Sequence, residues 1–247
     1  EVLESSSGLL QRCCANRRPA EETHEDVSLP SRHLLVLFPG NPGVVHYYHE
    51  FVSLLATHQV DTLVMGFAGH SLHELNDGKY FELQHQIDLA DQFCRSVLSP
   101  EVKGAFRSCN VSGHSIGAYV ALHMVCRHPS VIDRAFLLTP TICNMRRSPN
   151  GASKDVLLNR PLIQLTCSAV LPLVHRFPTC VKRFIINHTQ KNMNDHGRWV
   201  SEQLTRPNIT RNILMLARSE FEQVAELDVA LVQSVQECLV FYFVKED

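Results

Sequence analysis

Ser115 lies between two glycines in the run Gly113-His114-Ser115-Ile116-Gly117, a spacing that suits a serine nucleophile on a sharp turn between a strand and a helix. The chemistry of such a turn is acyl transfer. A serine oxygen attacks a carbonyl carbon, and the charge that forms on the carbonyl oxygen needs fixed N–H donors beside it. The backbone N–H of Ile116, at the positive end of the following helix, is one expected donor. A second run, Phe38-Pro39-Gly40-Asn41-Pro42-Gly43, offers the other. Its glycines let backbone approach a substrate, its prolines stiffen the loop, and Asn41 keeps an N–H that Pro42 lacks. Each run also suits a plainer role: Ser115 as a helix cap between glycines, and the Pro/Gly run as a connecting turn.

These residues need strands and helices to hold them. Five short apolar runs, 33–38, 61–67, 108–113, 134–139 and 237–243, end in turns and read as strands of a buried parallel sheet. Between them, 80–97 repeats apolar residues at helical spacing, with Tyr80, Leu83, Ile87, Ala90, Cys94 and Val97 on one face. Residues 47–58 behave similarly, and 116–126 is apolar nearly all round, as a helix sandwiched in a core must be. Alternating strands and helices imply a doubly wound α/β fold, mostly parallel, with helices on both faces.

The composition excludes several classes. With 23 Lys and Arg against 25 Asp and Glu and no basic tract, nucleic acid is not an expected partner. Nine cysteines without a C-x-x-C pair read as reduced thiols, not as a disulfide frame or zinc site. The pairs His46/His49 and His70/His73 have ligand-like spacing but no third ligand, so no metal and no cofactor are expected. Residues 1–31 read as a loose polar leader, in a chain that begins with Glu1.

Taken together, Leu37-Phe38-Pro39-Gly40-Asn41-Pro42-Gly43, the pair Tyr47-Tyr48, Ala68-Gly69-His70, the Ser115 turn, Arg134 to Ile142 and Ser148-Pro149-Asn150-Gly151 resemble the lipid droplet-associated hydrolase family, a branch of the α/β-hydrolases. The resemblance implies an α/β-hydrolase core over 32–144 and 212–247. It also implies a serine esterase acting on neutral lipid esters such as cholesteryl ester at the lipid droplet and endoplasmic reticulum surface, on its cytosolic side. The opposing expectation is a non-catalytic scaffold that binds such a surface or a protein partner.

The fold's chain order is serine, acid, histidine. Asp247, after the fifth strand, fits the acid, although Val244, Lys245 and Glu246 depart from the family's pattern and leave Glu246 as an alternative. All fourteen histidines precede Asp247, so the base and a final strand and helix are expected beyond this sequence, and the 247 residues alone are expected to be nearly inactive. His114 is expected to pack away from the nucleophile and His70 to be structural. His128 and Asp133 have an acyltransferase-like spacing but read as a helix end leading into a strand. Of the sequons at Asn110, Asn187 and Asn208, the first is expected to be buried beside the turn.

Residues 145–211 interrupt the alternation and read as an inserted cap. The cap is rich in Leu, Ile and Val, but Pro161, Pro172 and Pro178 break it below the ~20 apolar residues needed to span a bilayer. Two compatible roles follow: helices lying on a lipid surface with Arg176, Lys182 and Arg183 at the head groups, and a lid over an acyl pocket.

Overall fold

The computed structural model describes residues 31–72, 78–147, 158–189 and 193–244. Five strands, β1 (His33–Phe38), β2 (Val60–Val64), β3 (Ser108–His114), β4 (Arg134–Leu138) and β5 (Leu239–Tyr242), form one parallel sheet in the order β2-β1-β3-β4-β5. The chain leaves β1 toward β2 and returns on the other side to start β3. A crevice therefore opens at the C-terminal ends of β1 and β3, where the connections diverge. The register pairs Phe38 with Gly113, His114 with Leu138, and Leu138 with Tyr242, so the loops after β1, β3, β4 and β5 emerge along one edge.

Helices cover both faces, and alternation along β1 divides its side chains between them. Leu34, Val36 and Phe38 join the larger core with α2 (Leu83–Val97) and α4 (Ile116–Arg127), while Leu37 packs with Val45, Val52 and Val64 beneath α1 (His49–Ala56). A short α3 (Pro100–Gly104), capped by the Ser99 hydroxyl on the Val102 N–H, leads into β3.

Several boundaries differ from the sequence reading. β2 ends at Val64 because the chain then leaves the sheet, and the Phe67 N–H bonds the Gly43 carbonyl at 2.9 Å. The helix expected from residue 80 begins at Leu83; Tyr80 lies outside it, its ring under the Arg211 guanidinium at 5.3 Å. Residues 45–48 form a separate 3-10 turn before α1. Among the described residues β5 is the last strand of the sheet, and Phe241 and Tyr242 are exposed on it. A 3-10 turn occupies 236–238 before it.

Between β4 and β5 the described chain is helical: a 3-10 turn (Met145–Arg147), α5 (Arg160–Leu165), α6 (Leu171–Arg176), α7 (Thr179–Thr189), α8 (Asp195–Gln203), α9 (Pro207–Gln223) and α10 (Val229–Val235). A π turn (Thr166–Val170) joins α5 to α6, with the Leu171 N–H reaching back to the Thr166 carbonyl. Pro172 follows it and has no N–H to continue an ordinary ladder, a sufficient cause for the wide turn.

The cap boundary expected at 211 falls inside α9, which runs unbroken from Pro207. The buried face of α9 explains its continuity: beside Ile209, Met215, Leu216 and Phe221 it carries Asn212, Ser219 and Glu220. Asn212 accepts from the Phe81 N–H and donates to the Lys79 carbonyl, and the Ser219 hydroxyl accepts from the Leu83 N–H. These bonds join α9 to the core along its length.

Candidate active site

Ser115 has φ 53° and ψ −121°, a conformation that costs a non-glycine residue about 1–3 kcal/mol and persists only when its surroundings hold it. Here three bonds do so. The Ser115 N–H donates to the Leu138 carbonyl at 3.0 Å, and its carbonyl accepts from Ala118 at 3.0 Å and Thr141 at 3.1 Å. The glycines on either side have no alternative. A Cβ on Gly113 would lie 2.1 Å from the Gly117 oxygen, and one on Gly117 would lie 2.2 Å from that of Phe38. Strand, helix and β1 thus meet with backbone touching backbone, and the half-buried Ser115 is presented at the sheet edge. Its Oγ lies 3.2 Å from the Thr141 Oγ1.

The loop after β1 lies beside it: a Cβ on Gly40 would come within 3.2 Å of that of Ser115. Every N–H in this loop can be accounted for. Pro39 and Pro42 have none. The Gly40 N–H donates to the Tyr48 phenol oxygen at 2.8 Å, and the Gly43 N–H to His70 Nδ1 at 2.8 Å. Asn41 is left, and among the described residues its backbone N–H has no partner, nor has that of Ile116 at the first turn of α4. The Asn41 side chain is held instead by α9, its Nδ2 donating to the Ile213 carbonyl and to Glu220 Oε1, each at 3.0 Å.

The two loop anchors have shifted acidities. Burial pulls the His70 imidazole down to about 4, partly opposed by the backbone of Asn212 beside it, so at neutral pH the ring is uncharged and Nδ1 is free to accept. Burial pushes the Tyr48 phenol up to about 12 despite the Gly40 N–H at its oxygen, so it stays protonated. Its oxygen is also 2.9 Å from His114 Nδ1.

Residues 31–247 match the family model described as lipid-droplet associated hydrolase. The chain belongs to that family. A lipid droplet-associated hydrolase of Rattus norvegicus is 29% identical over 90% of this chain and 72% of its own length. The Gallus gallus protein of the same name is 28% identical over 89% and 71%, and that of Drosophila melanogaster 24% over 87% and 74%. Among solved structures, a 2-hydroxy-6-oxo-6-phenylhexa-2,4-dienoate hydrolase from Rhodococcus superposes with a TM-score of 0.59 at 15% identity, over 88% of this chain and 75% of that one. The deformylase Nfo of Pseudomonas putida S16 gives 0.53 at 16% identity, over 87% and 85%. The α/β hydrolase MGS-M2 from a deep-sea metagenome gives 0.52 at 12%, over 89% and 73%. The fold is that of the α/β-hydrolases, and the family is one of hydrolases.

Within this member of the lipid-droplet associated hydrolase family, Ser115, Gly113, Gly117, Ile116 and Asn41 come together at the crevice. Asp247, Glu246, His73 and the 148–151 motif lie outside the described residues. β5 runs toward the same edge, with Tyr242 level with Leu138. Among the described residues no histidine bonds the Ser115 hydroxyl.

His114 does not pack away from the site as expected: it is exposed and touches Tyr48, because the strand end at β3 turns its ring toward the β1 loop. Asn110 is not buried beside the turn either. It lies early in β3, paired with Leu35, half-buried, its amide on the Ser108 hydroxyl. His128 and Asp133 serve different partners: His128 bonds Asp91 at 2.7 Å, while Asp133 holds Lys103 and the Cys109 N–H. His46 and His49 meet Trp199 and His196 of α8 through their rings. Among the described residues no group of three or more His, Cys, Asp or Glu is arranged to hold a metal.

Sequence reasoning missed Tyr48, Thr141 and Glu220, whose contacts with the site come from separate parts of the chain. Gln86 also lies outside the apolar face read for residues 80–97, yet it is buried and pairs with both the N–H and the carbonyl of Ala68.

Proposed function

We propose that this protein is a serine esterase of neutral lipid esters, cholesteryl ester among them, working at the surface of lipid droplets and the endoplasmic reticulum. Ser115 Oγ attacks the ester carbonyl, and the N–H groups of Asn41 and Ile116 receive the oxyanion. The observation that carries this reading is the strained Ser115 between the two N–H groups that the local hydrogen bonding leaves unused. A single donor of this kind contributes about 3–4 kcal/mol to the transition state. Asp247 is the proposed acid and Glu246 the alternative, with the histidine they orient lying further along the gene product. The family's name, and that of its relatives, supports the droplet surface.

The cap helices α5 to α7 support a lipid-facing role. They expose Leu165, Leu173, Phe177, Phe184 and Ile185, with Arg176 and Lys182 among them, while Arg183 is paired with Glu202. Amphipathic helices with this composition lie at an interface, apolar side down. Among the described residues no helix is long and apolar enough to cross a membrane.

A second reading, a non-catalytic scaffold on the same surface, is favoured by the hydroxyl of Ser115 meeting Thr141 and no histidine among the described residues. Fluorophosphonate labelling separates the two. The full gene product, the 247-residue chain and the Ser115→Ala variant of each are compared. Labelling of the full product at Ser115, absent from the variant, supports the esterase. A folded full product that does not label leaves the scaffold.

A further inference from the structure

We infer that Glu220, on the buried face of α9, is a positioning residue that sets the oxyanion loop through the Asn41 side chain. The inference rests on the proposed role of the Asn41 N–H. Glu220 is 1% exposed, and its Oε1 accepts from Asn41 Nδ2 at 3.0 Å. The same amide nitrogen donates to the Ile213 carbonyl, so both of its hydrogens are used by one helix. The Gly40 and Gly43 N–H groups fix the two ends of the loop on Tyr48 and His70. The Asn41 side chain fixes its middle, and the middle is where the unused N–H lies.

A backbone donor is only as well aimed as the residue that carries it, and a misplacement of ~1 Å in such a site costs about 100-fold in rate. Removing the carboxylate that Asn41 Nδ2 bonds leaves one of its amide hydrogens unmatched against the buried face of α9, and the loop relaxes to satisfy it. The use of Glu220 is as a hydrogen-bond acceptor in a fixed place, its Oε1 on Asn41 Nδ2. Glutamine at this position keeps an acceptor oxygen and cannot ionise, so it isolates the hydrogen bond from any effect of a carboxyl group.

The test uses the full gene product and a soluble short-chain ester, with kcat and KM measured for the wild type, Glu220→Ala, Glu220→Gln, Asn41→Ala and the Glu220→Ala/Asn41→Ala double variant. Amide hydrogen exchange at Gly40 and Gly43 is followed alongside. Glu220→Ala is expected to lower kcat by about 10- to 100-fold with KM little changed. Glu220→Gln is expected to stay within about threefold of wild type, and the double variant to be no slower than Asn41→Ala, as befits two residues acting as one unit. Exchange at Gly40 and Gly43 should quicken in Glu220→Ala and not in Glu220→Gln. A folded Glu220→Ala with wild-type kcat overturns the inference, as does a Glu220→Gln as slow as the alanine variant or a double variant whose losses multiply. If the wild type turns over no ester, the role of Asn41 fails, and the exchange data still report the tether: quickened exchange in Glu220→Ala upholds it, and unchanged exchange overturns that as well.

Discussion

Acidification should loosen this protein through His70 in a way that can be isolated. The imidazole is fully buried, and its Nδ1 accepts the Gly43 N–H at 2.8 Å, which a protonated Nδ1 cannot do. Burial holds its pKa at about 4 against an ordinary 6.5. Because the folded value lies below the unfolded one, the unfolded chain binds the proton first. The stabilisation is therefore fully present above pH 6.5 and is lost as the pH falls through the window down to about 4. The gap between those values corresponds to about 3 kcal/mol in total, of which about 2 kcal/mol is lost between pH 7 and pH 5. His70→Asn is the control, because its side-chain oxygen can accept the same N–H and does not titrate. Urea unfolding of both proteins is measured across this range, and the wild-type free energy is compared with that of the variant at each pH. The other histidines and carboxylates cancel in the difference. A difference that stays flat from pH 7 to pH 5 refutes the reasoning, whatever each protein does alone.

Two further outcomes follow from the packing. Gly117→Ala would place a Cβ 2.2 Å from the Phe38 oxygen and 2.4 Å from that of Pro39, and backbone on both sides cannot retreat. The expected loss is about 3 kcal/mol or an unfolded product, read from the urea midpoint, whereas an alanine at Gly104, whose Cβ would meet nothing within 4 Å, should cost about 1 kcal/mol at most. In the cap, Phe184 is 63% exposed and Leu173 59%, so Phe184→Glu with Leu173→Glu should leave the thermal midpoint and soluble-ester turnover unchanged. The same pair should cut flotation with phospholipid-coated triglyceride emulsions at least about tenfold. Unchanged flotation removes the lipid-facing reading of the cap.

The sheet is legible in the sequence because a short apolar run that ends in Gly and Pro is too brief for a buried helix and too apolar for a loop. The Ser115 turn is legible because the residues that mark it are adjacent in sequence. Gly113 clears the helix that follows its own strand, and Gly117, four residues on, clears the end of β1. Gln86 is misplaced by its sequence for the opposite reason. A helix wheel assigns an amide to the wet face, and only the unpaired ends of Ala68, eighteen residues away, make burying it favourable. Glu220 and Asn212 are the same case at longer range. Periodicity along α9 would keep them, being polar, off the buried face, yet they lie on it because loops from the first half of the chain bring them partners. The boundary expected at 211 lies inside the continuous α9, whose polar positions are matched to the core by long-range bonds. The apolar run of β5 marks a strand, but composition alone does not say which strands flank it.

The polar face of α9 also dates the site within the chain's own assembly. Asn41 meets its partners across 172 and 179 residues, and the bonds of Phe81 and Leu83 to this helix span 131 and 136. Contacts of such separation carry the largest loop-closure cost and form late. During synthesis, β1 to β4 and α4 emerge well before α9, so the Ser115 turn and its glycines can be in place while the β1 loop still lacks the tether for its middle. The Ser115 turn is thus built early and the tether of the β1 loop last. A chain ending at Arg206 should accordingly show the exchange protection of β1 and β3 without that of Gly40.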